Sequence, residues 1–526
     1  MTQSSKAATG PLTHSKWLVL AVLSAALFMI NLDVTIVNVA LPGIMDGLSA
    51  SLADAEWVLN AYVMVFAVLL ITMGRLGDIF GRKRLFTGGL ALFTAASLLC
   101  GLAPGIEWLI AARALQAIGG AAMMPATLSI LNVTFHGGQR GLAMGIWGAS
   151  AGAAAALGPI IGGLLVGTLG WQWVFLVNLP IGIAALLIAR KIVPESREPG
   201  AGRSIDFKGI LAASAGLGTL VYALVEGQSL GWTSAAVIGL FGVSIASFIV
   251  FIVVEAKSSA PLIELSLFRS RSFTAGNVLG LLLMFCLVGA IFLSVMYLQL
   301  VRQFTPMHTG LLVLPMPLAL MIVSPLAGRL ADHMPMRWVM AAGMVITAAA
   351  FFFLRQLNID TSWSMIALPM AGAGIGLGLV MAPLGAVVMG SVPVAMSGAA
   401  SGVLTTMRQV GATLGISALG AVLQFRLVAN LREFFEFIPF MPQSAKDAIL
   451  EGVSRGGMGA IAIEDAPSFV QDFIAQIMRE QFSGALSAAM TVAMFVAAAG
   501  VAIALFINYR PTKKKPPEAE SLLVKA

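Results

Sequence analysis

Charge is scarce in this chain. Asp, Glu, Lys and Arg supply 10% of its 526 residues against 59% hydrophobic ones, where a soluble domain carries roughly 25% charged residues. Water is therefore excluded as its main solvent. Cysteine is limited to Cys100 and Cys286; both fall in apolar runs and read as small buried hydrophobes, so no disulfide or redox compartment follows. The four histidines, His14, His136, His308 and His333, lack metal-like spacing and read as loop residues, with no metal site. No Gly-Lys dipeptide occurs, which removes the lysine of a phosphate-binding loop, and no soluble stretch is long enough for an ATPase domain. The few polar residues inside apolar runs do not assemble a nucleophile, a base and a third group, so an enzyme is not expected. The net charge of +7 comes from short loops rather than a basic face, which argues against a nucleic-acid partner.

Abundant instead are apolar runs long enough to cross a hydrocarbon core of roughly 30 Å. They lie at about 17–42, 57–77, 84–103, 107–131, 141–166, 173–190, 208–226, 235–254, 272–298, 310–330, 337–354, 363–388, 398–424 and 487–509. Glycine, at 56 residues, suits helices that approach closely in lipid. With residues 1–16 inside as a retained leader, alternate loops carry most of the 31 Lys and Arg; Arg302, Arg355, Arg426, Arg432, Lys446, Arg455 and Arg479 fall outside. This asymmetry predicts fourteen spans with both termini, including the tail 510–526, in the cytoplasm. Trp17, Trp57, Trp108, Trp171, Trp232, Trp338 and Trp363 fall near span ends, as headgroup anchors do. The long connection 425–486 faces outward. Within it, residues 467–482 repeat apolar positions with helical spacing, and an amphipathic helix on the outer membrane surface or over the exit is expected, a plain loop being the alternative.

After the second span the chain reads GRLGDIFGRKR (74–84), and after the tenth GRLADHMPMRW (328–338). Shared Gly-Arg-Leu-x-Asp at equivalent span ends predicts an internal repeat: a six-helix bundle over 17–190, a linker with two additional spans over 191–271, and a second six-helix bundle over 272–509. Such half-repeats typify secondary transporters, whose solute site lies between the halves.

With LDVTIVNVALP (32–42), RALQAIGGAAMMP (113–125), GASAGAAAALGPIIGG (148–163) and WQWVFLVNLPIG (171–182), the chain resembles, over nearly its whole length, the major facilitator superfamily and within it the fourteen-helix drug:proton antiporter group. The fold class expected is all-α integral membrane, two six-helix bundles plus two inserted helices.

Asp33 is the acid in the middle of a span. A carboxylate in a low-dielectric bundle is disfavoured in its charged form, so it can hold a proton and release it when water or a cation approaches; a permanently bonded structural Asp is the alternative. Arg113, the other midspan charge of the first half, must face protein, and Asp33 is the acid available to it. The resemblance gives this arginine a share in proton transfer; a purely structural ion pair is the alternative. Asn31 and Asn38 flank Asp33, and Gln116 lies one turn beyond Arg113, so all three are candidates to orient the carboxylate or line a solute path. Gly74, Gly77 and Gly81 permit a tight loop bearing Asp78 and the Arg82, Lys83, Arg84 cluster. Charge alone reads there as an inside anchor. The resemblance adds a conformational latch through Gly74, Asp78, Gly81 and Arg82, with Asp78 facing a helix N-terminus across the halves. Gly158, Pro159, Gly162 and Gly163 form an antiporter-like fifth-span motif that permits close packing and a bend. Arg408 lies near the inner end of its span and is expected to snorkel to the interface.

The function expected is proton-coupled export of hydrophobic drugs or toxic compounds across a bacterial cytoplasmic membrane, with no cofactor beyond the proton gradient. One proton crossing 100 mV releases about 2.3 kcal/mol, and each pH unit adds about 1.4 kcal/mol. Methionines in PMPLALM (315–321) suit an adaptable apolar cavity. Divalent organic cations fit poorly, since Glu226 at the outer end of the seventh span is the lone further candidate acid. Export of an endogenous lipid or metabolite, and a non-transporting solute sensor on the same fold, remain the alternatives. Expected partners are small hydrophobic solutes, protons and membrane lipids, with a periplasmic adaptor in prospect and a monomeric state.

Overall fold

The computed structural model describes residues 15–135, 139–196, 206–258, 261–436, 443–454 and 468–509. Most of the expected leader, the tail 510–526, His14 and His136 lie outside them. Among the described residues there is no strand, and fourteen helices are long and apolar enough to cross a membrane. In lipid each backbone donor and acceptor must be met within its own segment, which leaves the helix as the element these sequences can form.

The first bundle contains α1 (Ser15–Leu48), α2 (Leu52–Phe80), α3 (Arg82–Gly101), α4 (Ile106–Thr134), α5 (Arg140–Leu169) and a sixth span divided into α6 (Trp173–Leu176) and α7 (Asn178–Ile192). The inserted pair is α8 (Phe207–Leu230) and α9 (Ala235–Lys257). The second bundle contains α10 (Arg271–Met296), a tenth span divided into α11 (Pro306–Val313) and α12 (Pro315–His333), then α13 (Met336–Leu354), α14 (Trp363–Gly390), α15 (Ser397–Glu436) and α17 (Ser468–Leu505), with a short α16 (Gln443–Ser454) before the last. Some helix starts carry side-chain caps. Ser51 and Asp54 form a reciprocal capping box at α2, and Ser234 and Ser270 accept from Val237 and Phe273 at α9 and α10.

Within the first bundle α1 packs on α5, and α4 on α2 and α3. Within the second, α10 packs on α15, and α14 on α12 and α13. The two most extensive crossings between the bundles are α2 with α15 and α5 with α12, with α4 on α15 and α5 on α14 beside them. The first two rest on glycine. A Cβ on Gly74 would lie 2.9 Å from Gly402 Cα, and one on Gly328 would strike the Gly141 carbonyl. The Gly-Arg-Leu-x-Asp repeat thus marks, in each bundle, the helix whose backbone touches the other bundle. The inserted pair sits outside, α8 against α2 and α15. Ile238, Ile245, Ile249 and Ile252 of α9 are exposed at helical spacing, as a lipid-facing stripe is.

Several expectations change. The segment 74–84 is not a glycine loop: α2 continues to Phe80, α3 starts at Arg82, and Gly81 alone turns the chain, with φ +111°. Residues 468–482 are not a separate surface helix, because they form the first turns of α17 and run directly into the last span. His308 and His333 lie in helices, not loops. Trp171 is buried, whereas Trp17, Trp57, Trp108, Trp338 and Trp363 are exposed. Both cysteines are free and buried as expected.

Candidate functional site

Asp33 on α1 and Arg113 on α4 form a salt bridge, 0% and 1% exposed. Oδ2 of Asp33 accepts from the guanidinium; Oδ1 accepts from Gln116 Nε2 at 2.8 Å and from Asn178 Nδ2 at 3.1 Å. Both amides also donate to Ser97 Oγ, at 3.2 and 3.1 Å, and the Ser97 hydroxyl donates to the Phe175 carbonyl at 2.8 Å. Arg113 donates further to the Gln116 amide oxygen at 2.8 Å and the Val58 carbonyl at 3.1 Å, and its guanidinium lies 4.2 Å from the Tyr62 ring centre. The charges are therefore compensated as a buried pair must be, by each other and by fixed dipoles. Six elements contribute: α1, α2, α3, α4, α6 and α7.

Sequence reasoning paired Asp33 with Arg113 but missed Asn178, Ser97 and Tyr62. Asn178 carried a signal, being an amide inside an apolar run; Ser97 and Tyr62 carried none. Gln116 is fully committed to this network and has 0% exposure. Asn31 and Asn38 do not orient Asp33, since their Nδ2 groups donate to the carbonyls of Leu27 and Val34 in their own helix, each at 2.8 Å. Glu226 is also apart: its carboxylate accepts from Ser229 at 2.7 Å on α8.

The latch residues lie at the opposite end of the bundle. Asp78, fully buried, accepts from the backbone N–H groups of Gly398 and Ala399 at 2.9 and 2.8 Å, in the first turn of α15. A carboxylate is favoured there by the helix dipole and by donors that have no partner within the helix. Arg82 holds the same carboxylate through Nε at 3.0 Å and a terminal nitrogen at 2.6 Å, and donates to the Val394 carbonyl at 3.0 Å. Beside Gly81, Glu195 accepts from Lys83 N at 3.1 Å and its carboxylate occupies the space a Cβ on Gly81 would need; nothing in the sequence singled Glu195 out.

The fifth-span motif divides by neighbour. Gly158 and Gly162 admit Thr35 and Ile36 of α1, just beyond Asp33, while Gly163 faces nothing within 4 Å. Close packing therefore holds for the first two glycines and not for Gly163. Pro159 lies inside an uninterrupted α5. Arg408 does not snorkel; it is 4% exposed, between the two bundles. Of the PMPLALM methionines, Met316 is buried against α14 rather than open to a cavity.

Comparison with known proteins fits this architecture. The chain is 33% identical to the tetracenomycin C resistance and export protein of Streptomyces glaucescens over 95% of this chain and 93% of that one. It is 35% identical to the multidrug resistance protein Stp of Mycobacterium tuberculosis (strain CDC 1551 / Oshkosh), covering 81% and 79%, and 31% identical to the multidrug transporter protein MdtP of Bacillus subtilis, covering 94% and 93%. Among solved structures, the human organic anion transporter MFSD10 shares the fold at TM-score 0.61 and 13% identity, covering 93% of this chain and 99% of that one. A bacterial homologue of the lysosomal transporter Spinster does so at 0.54 and 17%, covering 96% and 100%. The Major Facilitator Superfamily profile matches residues 23–416. A fourteen-helix membrane protein with these relatives belongs to the major facilitator superfamily, within its drug-exporter group.

Proposed function

We propose that this transporter is a proton-coupled exporter of hydrophobic drug-like compounds across the bacterial cytoplasmic membrane, with both termini inside. Relatives named for drug resistance and export support the cargo class. The single observation that carries the coupling is the buried Asp33–Arg113 pair with its closed set of neutral donors.

A proton arriving at Asp33 removes one charge of the pair and releases Arg113 toward Gln116, the Val58 carbonyl and the Tyr62 ring. Its departure restores the pair. The consequence is carried along α4, which bears Arg113 near one end and, about 24 Å further at roughly 1.5 Å per residue, reaches α15 near the other. There Ser129 Oγ donates to Ser397 Oγ at 3.2 Å, and Ser401 Oγ donates to the Pro125 carbonyl at 2.8 Å. These contacts adjoin the Asp78 latch, so the protonation state of Asp33 and the closure of the bundles bear on one rigid element. With the latch engaged, the latch face, taken here as cytoplasmic, is shut; its release admits cargo from inside.

Sealed vesicles with an imposed pH gradient test this reading. The parent protein is expected to accumulate drug-like solutes against their gradient and Asp33→Asn to move none uphill. Gradient-driven accumulation by Asp33→Asn equal to the parent would remove Asp33 from the mechanism.

A further inference from the structure

Arg408 stands eleven residues into α15, about 16 Å from its start at roughly 1.5 Å per residue, close to half the thickness of a hydrocarbon core. None of its three guanidinium nitrogens has a partner among the described residues. Among the described residues no carboxylate pairs with it: α5 and α10, whose residues lie against it, contain no Asp or Glu, and the first acid along α15 is Glu433. Its guanidinium lies 6.0 Å from the ring centre of Trp147 on α5, itself 2% exposed and with an unpartnered indole N–H. Gly280 of α10 lies against the Arg408 stem, and one turn earlier Asn277 keeps an unpartnered amide oxygen. Met381 of α14 adjoins Gly148, the neighbour of Trp147.

An arginine buried at mid-depth with every donor idle is the reverse of Arg113, which is paired with Asp33 and donates to Gln116 and the Val58 carbonyl. Its aromatic neighbour comes from the other bundle, so the two residues span the interface where a secondary transporter holds its solute. We propose that Arg408 and Trp147 form the cargo subsite for an acidic group, the guanidinium binding a carboxylate, sulfonate or ionised phenol of an amphiphilic aromatic solute whose ring system lies against the indole. The inference rests on the exporter reading and sharpens it: preferred cargo is anionic. A planar guanidinium offers paired charge-assisted hydrogen bonds to such a group, and the indole and Met381 supply an adaptable apolar wall.

Equilibrium binding to the full-length protein in lipid nanodiscs tests it with two probes of one ring system, the anionic 8-anilinonaphthalene-1-sulfonate and the uncharged N-phenyl-1-naphthylamine, each corrected for protein-free nanodiscs. The parent is expected to favour the anion by about tenfold or more, the scale of one charge-assisted hydrogen-bonded contact. Arg408→Gln should abolish that preference while binding of the uncharged probe stays within about twofold, and Arg408→Lys should retain part of it. Arg408→Gln should also melt no lower than the parent, since it deletes an unpaired buried charge. No preference in the parent, an unchanged preference in Arg408→Gln, or equal weakening of both probes would overturn the proposal. So would loss of the parent's preference when gluconate is replaced by chloride at constant ionic strength, which marks an inorganic anion as the occupant. Asp33→Asn should keep the preference. A binding preference that persists where no pH-gradient-driven transport occurs would defeat the exporter reading and leave the subsite standing.

Discussion

Asn178 donates to Asp33 at 3.1 Å across 145 residues of sequence, and the same amide donates to Ser97 at 3.1 Å. The carboxylate proposed to carry the coupling is therefore held by the start of α7 as well as by Arg113. Removing the amide in Asn178→Ala takes away one of three donors to Asp33. We expect a loss of about 1–2 kcal/mol in stability and slower uphill transport with activity retained. Thermal unfolding beside vesicle transport checks this; an unaltered transport rate would leave Asn178 with packing alone.

Asp33 and Arg113 should be separable by a double substitution. Asp33→Asn leaves Arg113 buried without its counter-charge and is expected to lower stability by about 3–5 kcal/mol. Adding Arg113→Gln should recover most of that loss but no uphill transport. Thermal unfolding of the purified variants, beside vesicle transport, reads both effects.

At the latch, Gly74→Val places a branched side chain where the Gly398 carbonyl and Gly402 backbone already sit. Closure of that face should fail, with transport falling at least about tenfold, of the order expected for a few kcal/mol of overpacking. A cysteine introduced at Ser129, buried against Ser397, should become reactive to a membrane-impermeant thiol reagent in the Gly74→Val background and stay protected in the parent.

The fifth-span glycines should separate in the same assay. Gly163→Ala meets nothing within 4 Å, so transport should be unchanged and stability equal or higher by about 0.5–1 kcal/mol. Gly158→Ala drives a methyl into Thr35 and should reduce both. Equal behaviour of the two would contradict the packing of α5 on α1.

Outside the membrane, Asp206 caps α8, accepting from Gly209 N at 2.8 Å. Partial burial works to raise its carboxyl, but hydrogen bonds from the Ser258 side chain and from Gly209 and Lys208, with the Lys208 charge, hold it below the usual carboxylate range. A folded value below the unfolded one means the stabilisation is present above about pH 3.9 and is lost as pH falls through the folded value. Asp206→Ala should therefore cost about 1 kcal/mol at pH 7, and the difference should shrink as pH drops below 4. Melting temperatures of both proteins across pH 3–7 decide it.

Sequence legibility followed the physics of each feature. The fourteen spans were readable because lipid selects on length and apolarity, quantities that need no partner. The Asp33–Arg113 pairing was readable because a buried charge demands an opposite one and few were on offer. Asn178, Ser97, Tyr62 and Glu195 were not, because a neutral amide, a hydroxyl, a phenol ring or a loop carboxylate has no compulsory partner until helices are placed. The long connection 425–486 was misread since helical periodicity says that a segment is helical, not whether it joins the span that follows. Arg408 was misplaced for a related reason: snorkelling depends on which way a helix face points, and α15 turns that face toward α5 and α10.

By itself the sequence determined the solvent of this protein, the number of its crossings, the repeat that relates its halves and the scarcity of charge within them. Tertiary structure alone decided which glycines touch backbone across the bundles, which amides close around Asp33, and that one buried arginine is neutralised while another is not. The first group follows from composition along a single chain in oil, the second from contacts between residues tens to hundreds of positions apart, whose geometry exists only once the helices have packed.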